Sequence, residues 1–162
     1  MNESRGLLDR CSTLVALAAV IALGLSAGAM LTEAVILVSY WRTLPAHDFL
    51  RWFGENEPRL VAFYSPLQIT SVCLTAAAAG LFRFRLRMGS GLLIMSVLLA
   101  VAVLATYFVY FKEANAGFVA GTIGPEKVAD ELARWARWQW IRTAIGVSAF
   151  IAGLVALQQR NV

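Results

Sequence analysis

Four long apolar runs constrain this 162-residue chain more than any other feature of its sequence. Each run approaches or exceeds the roughly 20 residues that an α-helix needs to cross a bilayer. Because 59% of the residues are hydrophobic and 15% are charged, little chain remains for a soluble domain. The sequence therefore predicts an all-α protein with a single membrane domain, residues 1–162, built as an integral membrane four-helix bundle. The expected spans are 13–40, 60–82, 89–111 and 138–157.

The first apolar run has a second interpretation, as a cleaved signal peptide. Residues 14–25 would then form its hydrophobic region, and the Ala-Gly-Ala sequence at 27–29 would be its cleavage site. The apolar run continues for about ten residues beyond this point, which favours a membrane span. Gly24 and Gly28 form a G-x-x-x-G pattern, which indicates close helix packing and would permit a homo-oligomer without requiring one.

The connections before the second and fourth spans are expected to carry short interfacial helices. Pro45 could open one such helix, and the aromatic side chains that follow it suit the membrane–water boundary. Gly124 and Pro125 predict another helix start, and that helix could continue unbroken into the fourth span.

Charge predicts the orientation of the chain. The two connections just described are charge-balanced, whereas the opposite side of the membrane would hold an excess of arginine. The positive-inside rule therefore predicts a cell-membrane protein with both termini in the cytoplasm. The residues that carry this prediction are Arg5, Arg10, Arg83, Arg85, Arg87 and Arg160.

Glu33 and Arg142 are the charged residues that lie inside the first and last apolar runs. A charge within a membrane is costly unless it is paired or hydrated, so the two are expected to pair. At about 100° per residue, each shares a helical face with small or polar residues that favour contact with another helix. The face of Glu33 contains Ser26, Ala29, Met30, Leu37 and Tyr40, and the face of Arg142 contains Trp135, Gln139, Gly146, Ala149 and Gly153.

Other polar residues are expected at the same depth as this pair. By helical rise, Glu33 lies about 12 Å below Trp41, and Arg142 lies about 6 to 10 Å below the tryptophans that open the fourth span. The remaining halves of the spans are almost wholly apolar or small. The pattern predicts a small-molecule pocket open toward the outer leaflet, or alternatively a structural clasp that fixes helix register. The other expected pocket residues are Gln68, Tyr64, Tyr107, Tyr110 and Trp135.

Other kinds of chemistry have weaker support in the sequence. His47 is the only histidine, so it cannot form a histidine-based metal or haem site; it is either solvated or a base at the pocket mouth. Cys11 and Cys73 do not suggest a disulfide framework. The motifs of nucleotide-dependent enzymes and zinc proteases are not present, and the placement of charge does not suggest a nucleic-acid partner. No metal and no cofactor are therefore expected.

The chain resembles the small four-span membrane proteins of the anthrone oxygenase-like family. The resemblance rests on WARWQWIRT in the fourth span, KEAN at 112–115 and SAGAMLTEAV in the first span, and it extends over nearly the whole chain. It implies the oxidation of anthrones by molecular oxygen in polyketide pathways, without metal or flavin. The matching positions are Asn115, Trp138, Gln139 and Arg142. In that family an Asn or His often stands at the place of Gln139, and because an amide cannot take up a proton at neutral pH, a general-base role there is in doubt.

Together, these features suggest an oxygenase that acts on an apolar phenolic or quinol-like substrate. Glu33 or His47 would remove a proton, and Arg142, Gln139 and Tyr107 would stabilise the oxyanion that forms. The alternative is a non-enzymatic membrane subunit, scaffold or small-molecule binder in which the Glu33–Arg142 pair is structural. The partners expected in either case are membrane lipid and an apolar small molecule.

Overall fold

The computed structural model describes residues 2–84 and 90–159, and all regular structure in this part of the chain is helical. Its elements are α1 (Asn2–Thr32), π1 (Glu33–Leu37), α2 (Val38–Trp41), α3 (Ala46–Phe84), α4 (Ser90–Thr106), π2 (Tyr107–Phe111), α5 (Lys112–Ala120) and α6 (Pro125–Gln158). Consecutive elements join into four helices that are long and apolar enough to cross a membrane. These are Arg10–Trp41, Ala46–Arg83, Ser90–Ala120 and Pro125–Gln158, here called the first to fourth helices. The predicted all-α four-helix bundle is confirmed.

The four helices form a ring in which each packs against its neighbours in sequence and the fourth closes against the first. The second and fourth helices, which face each other diagonally, touch much less. The upper end of the bundle is the end with the turns at 42–45 and 121–124, and the lower end is the opposite one. Gly121 closes α5 with a φ of 64°, a left-handed conformation that glycine adopts without strain.

The helices extend further at the upper end than the apolar runs indicate. The second helix begins at Ala46 and continues through Pro58 and Pro66, and the third continues to Ala120. The helical segments expected in the upper connections are therefore present as extensions of the spans rather than as separate helices. The fourth helix begins at Pro125 and runs unbroken into its span, as predicted.

Packing differs between the two ends of the bundle. The upper aromatic cluster contains Trp41, Phe49, Phe53, Phe111, Phe118 and Trp135, all buried, with neighbouring ring centroids 5.0 to 6.0 Å apart. The lower cluster is made mainly of alanine, with one phenylalanine and one leucine: Ala16, Ala19, Ala78, Ala79, Phe82, Leu93 and Ala156. Because small side chains let helices approach closely, the helices are tightly packed at the lower end.

The face of the fourth helix that was predicted to meet the other helices is buried in all six of its members. A Cβ atom added at Gly153 would lie 3.3 Å from Leu23 Cδ1 of the first helix, so the Leu23 side chain packs directly against the backbone of the fourth helix there. In the first helix, Gly24 faces Phe150 at a similar distance, whereas Gly28 has open space around it. The G-x-x-x-G pattern therefore supports packing within the chain at one of its two glycines.

The π segments change which residues of the first and third helices face inward. A π turn spans five residues rather than four, so it inserts one extra residue and rotates everything that follows. After π1, Val38 and Trp41 are buried while Tyr40 is exposed. In π2, Phe111 is buried in the place expected for Tyr110. An uninterrupted α-helix, as assumed from the sequence, gives the wrong face in both cases.

The orientation prediction falls mostly on residues outside the described part of the chain. Arg85 and Arg87 of the basic cluster lie there, as do Arg160, the side chain of Arg5 and the predicted start of the third span at residue 89. Arg10 and Arg83 are exposed at the lower end of the bundle.

Candidate functional site

A cavity of about 240 Å³ lies in the upper half of the bundle, and all four helices contribute to it. The upper aromatic cluster lies above it, and the small-residue core lies below it. Seven residues proposed from the sequence line this cavity. They are Glu33, Tyr64, Gln68, Tyr107, Asn115, Trp135 and Arg142.

Arg142 lies on the cavity wall with 6% of its surface exposed. The central carbon of its guanidinium group is 5.0 Å from the centre of the Phe111 ring, a cation–π contact. Its Nε atom is buried and has no hydrogen-bond partner. A buried guanidinium with free donor capacity is suited to receive an oxygen atom from a ligand in the cavity.

Glu33 is the first residue of π1 and is 4% exposed. Its Oε2 atom accepts a hydrogen bond of 2.9 Å from Gln139 Nε2, which also donates to the Met30 carbonyl at 3.0 Å. The Thr143 hydroxyl lies 3.3 Å from the same carbonyl. These contacts join the first and fourth helices and hold the Glu33 carboxylate in one orientation.

The expected direct ion pair between Glu33 and Arg142 is not formed. Within the described chain, no nitrogen of Arg142 is within 4.0 Å of a Glu33 oxygen. Gln139 contacts the carboxylate instead, and Arg142 contacts an aromatic ring. Both charged side chains line the same cavity, so a ligand between them can contact both.

Gln139 has a different role from the one predicted. It is fully buried and is not among the residues that line the cavity, so it positions Glu33 rather than contacting a ligand. Its Oε1 atom has no hydrogen-bond partner. Gln139 therefore stabilises the fold through the two hydrogen bonds that it donates.

Asn115 is held by Trp135. The Trp135 indole donates from Nε1 to Asn115 Oδ1 at 3.0 Å. Because an indole nitrogen can only donate, this contact fixes the orientation of the amide and leaves its Nδ2 group as a donor for another partner. The edge-to-face contact of Trp135 with Trp41, at 5.2 Å, fixes the indole in turn.

Gln68 lies deeper on the cavity wall, on the second helix. It is 5% exposed, and its Nε2 atom has no hydrogen-bond partner. A second void of about 10 Å³, roughly the volume that one water needs, lies against Gln68, Ser26 and Ser71. Tyr64 is one turn above Gln68, and its hydroxyl is 3.4 Å from the Ala29 carbonyl, which is a long contact. Gln68 and Tyr64 therefore keep hydrogen-bonding capacity toward the cavity.

Besides Gln139, three residues assigned to the site from sequence do not line the cavity: His47, Tyr110 and Trp138. His47 is exposed in the first turn of α3, so it is not a base at the pocket mouth. The Tyr110 hydroxyl donates to Glu131 Oε1 at 2.7 Å, and its ring stacks on Trp138 with a centroid distance of 5.2 Å. The extra residue in π2 turns Tyr110 toward the fourth helix, and it meets Trp138 there.

Glu57 is a second carboxylate on the cavity, and the sequence interpretation missed it. It lies before residue 60, the predicted start of the second span, and was therefore not considered for the site. The helix continues through Pro58, and Glu57, Val61, Tyr64 and Gln68 follow one another at intervals of four, three and four residues. This helical spacing was a signal that could have found Glu57.

The described residues contain no group of three or more metal-ligating side chains. Glu33 and Glu57 are the carboxylates on the cavity wall. Both cysteines are exposed and unbridged.

No protein-family model, curated protein or solved structure matches this chain.

The chemistry of the cavity follows from the groups on its wall. The Glu33 carboxylate can accept a proton, and the Arg142 guanidinium and the Asn115 amide can donate hydrogen bonds to an oxyanion. The rings of Phe53, Phe111 and Trp135 offer apolar surface beside these groups. The cavity therefore suits a small molecule that is mostly apolar and carries oxygen substituents.

Proposed function

We propose that this chain is an anthrone oxygenase-like protein of the cell membrane, with both termini in the cytoplasm. Its substrate would be an apolar phenolic or quinol-like small molecule that binds near the outer leaflet. The observation that carries this proposal is the presence of Glu33 and Arg142 on one cavity, both buried and without a salt bridge between them. Buried intramembrane charges that line a cavity without contacting each other directly suggest a function beyond packing.

The proposed reaction needs a base, an oxyanion site and dioxygen as the oxidant. For an anthrone, Glu33 removes a proton from the CH2 carbon of the central ring, opposite the ketone, and the negative charge moves onto the ketone oxygen. Arg142, with Asn115 or Tyr107, donates hydrogen bonds to that oxygen. Dioxygen then forms a bond to the carbanion carbon, and the proton held by Glu33 passes to the resulting peroxide and gives a hydroperoxide. Loss of water leaves one oxygen atom as the new carbonyl, so the substrate loses two hydrogen atoms and the dioxygen is fully reduced.

Replacement of each charged group tests this proposal. Glu33→Gln keeps the size of the side chain and the contact with Gln139 but removes the base, and Arg142→Met removes the donor. Each variant should lower the oxygen consumption of the protein with anthrone in lipid nanodiscs by about 100-fold or more, the usual contribution of a general base or an oxyanion donor. Arg137→Met makes the same change at an exposed position on the fourth helix and should leave the rate unchanged.

Full activity in a folded Glu33→Gln variant would remove the carboxylate from the mechanism. Mass spectrometry of the native protein, extracted with its bound lipids, would identify the ligand independently of any assumed substrate. A quinol-like or phenolic molecule that is lost from the Arg142→Met variant is the expected result.

A second candidate is a non-enzymatic subunit, scaffold or small-molecule binder. The contact of Gln139 with both Glu33 and the Met30 carbonyl favours it, because this arrangement joins two helices as a structural clasp does. This candidate predicts that the ligand binds but that no oxygen is consumed above the rate without protein. It also predicts that Glu33→Gln changes the amount of folded protein in membranes rather than the rate of a folded protein.

A further inference from the structure

The cavity reaches the outside of the bundle through a gap between the second and third helices. Val61, Ser65 and Ile69 line the cavity from the second helix, and all three are also exposed on the surface. Leu104 and Phe108 line it from the third helix, and Phe108 is 70% exposed. Side chains that belong to both the cavity and the surface mark the place where the two are continuous.

Backbone packing puts the gap at π2. The second helix packs against α4 below this level and against α5 above it, but it has little backbone contact with π2 itself. Phe53 and Phe118 close the upper side, with ring centroids 5.3 Å apart. The third helix therefore stands away from the second over one π segment and approaches it again on either side.

The direction of this gap determines how a ligand can enter. The upper aromatic cluster lies between the cavity and the upper end, and the packed small residues lie between it and the lower end. The gap opens sideways, at a depth where the neighbouring helix surfaces are apolar and exposed. In a bilayer, this direction leads into lipid rather than into water.

The chemistry of the cavity and of the gap differs. Polar groups capable of holding oxygen atoms lie inside, at Glu33, Gln68, Asn115 and Arg142, whereas the side chains at the gap are apolar except for Ser65. Glu57 lies one turn above Val61 on the same face of the second helix, at the upper end of the gap. The volume of about 240 Å³ is slightly below the roughly 300–1,000 Å³ typical of sites that enclose a whole drug-sized ligand. The cavity therefore has room for a compact head group, and the gap offers a path for an apolar chain.

We infer that the ligand of this protein is an amphiphile with two parts: a compact oxygen-bearing ring held at Arg142, and an apolar chain that leaves between the second and third helices into the bilayer. The inference rests on the proposed small-molecule site, but it does not depend on whether the protein consumes oxygen. It identifies the ligand class as lipid-soluble phenols or quinols that carry a hydrocarbon tail.

Two probes that differ only in the tail test this inference. Hydroquinone and decylhydroquinone are titrated onto the protein in lipid nanodiscs, with tryptophan fluorescence as the readout and ligand expressed as mole fraction in the bilayer. Ser65→Trp places a large ring in the gap, and Ser148→Trp makes the same change at an exposed position on the fourth helix away from the cavity. Ser65→Trp should weaken decylhydroquinone binding about tenfold and leave hydroquinone binding unchanged. Ser148→Trp should change neither.

The outcomes separate the inference from the proposed function. If Ser65→Trp affects both probes equally, or neither, the exit of the tail through the gap is overturned while the ring site remains. If neither probe binds to the unmodified protein in a way that Arg142→Met abolishes, the proposed small-molecule site itself is overturned.

Photolabelling of the unmodified protein gives an answer that does not depend on the folding of a variant. A decylhydroquinone with a diazirine at the end of its chain should label peptides that contain residues 61–69 or 104–108. Labelling confined to the first and fourth helices would overturn the inference, because the tail would then leave the cavity by another route.

Discussion

Gln139 and Gln68 form a natural comparison for measuring what the hydrogen bonds at the site contribute. Both are glutamines on membrane-spanning helices, and both are at least 95% buried. Gln139 donates to Glu33 Oε2 and to the Met30 carbonyl, whereas the Nε2 atom of Gln68 has no partner. Replacement by methionine, which has a similar length and no amide, should therefore destabilise the protein at position 139 and not at position 68.

The size of the effect follows from the two bonds. Interhelical hydrogen bonds in bilayers contribute about 0.6 kcal/mol on average, so two of them set a lower value of about 1 kcal/mol. A bond to a buried carboxylate contributes more, about 1.5–3 kcal/mol, and its loss leaves the Glu33 acceptor unsatisfied. The Met30 carbonyl keeps the Thr143 hydroxyl as a neighbour, which limits its share of the loss. Gln139→Met should therefore cost about 1 to 4 kcal/mol, and Gln68→Met should change stability by less than about 1 kcal/mol.

Reversible unfolding in mixed micelles, followed by circular dichroism, measures both free energies under one condition. Equal losses for the two variants would refute the reasoning, because burial would then determine the cost and the hydrogen bonds would not. A Gln139→Met variant as stable as the unmodified protein would show that the clasp between the first and fourth helices contributes nothing.

Three further substitutions have defined expected results. Tyr110→Phe should lower the free energy of unfolding by about 0.5–1.5 kcal/mol, because the hydrogen bond to Glu131 is lost. It should not change ligand affinity, because Tyr110 does not line the cavity. Thermal unfolding measures the first effect, and titration with hydroquinone measures the second. Trp135→Phe should cost a similar amount and also weaken ligand binding, because Asn115 loses the donor that orients it; the same two assays distinguish it from Tyr110→Phe. Arg142→Met should change stability by about 1 kcal/mol or less in mixed-micelle unfolding, whereas the loss of one partner from a buried salt bridge costs about 3–5 kcal/mol.

The fold and the depth of the site could be predicted because both depend on coarse properties of the sequence. Apolar runs of membrane-spanning length require helices in lipid, where every backbone group must be hydrogen-bonded within the protein. Polar side chains in those runs must then face inward, and Glu33, Gln68 and Arg142 meet at one cavity. Residue spacing alone was enough for the second helix, where the stripe from Tyr64 to Thr75 is an uninterrupted α-helical face.

The details of the site depend on structural features that have no recognisable pattern in the sequence. A π segment has no residue signature comparable to proline or glycine, so the one-residue shift that replaces Tyr110 by Phe111 was not predictable from periodicity. The second span was predicted to begin at residue 60, where the apolar run begins, whereas the helix begins at Ala46 and brings Glu57 to the cavity. The predicted partner of Glu33 was also wrong. Electrostatic reasoning paired Glu33 with Arg142, the only basic residue in the predicted fourth span, whereas the neutral amide of Gln139, one turn away, makes the contact.

Arg142 connects the energetics of the bundle with its proposed function. A guanidinium that is 6% exposed has lost most of its water, and neither a carboxylate nor a hydrogen bond to its Nε atom replaces it within the described chain. The contact with Phe111 recovers part of that cost, at about 0.5–2 kcal/mol for a cation–π pair. An apolar residue of similar size would remove the desolvation cost, so packing alone does not account for an arginine at this position. A ligand oxygen that enters through the lateral gap would supply the acceptor that Arg142 lacks. The free energy of this hydrogen bond would favour the ring bound in the cavity over the ring dissolved in the bilayer.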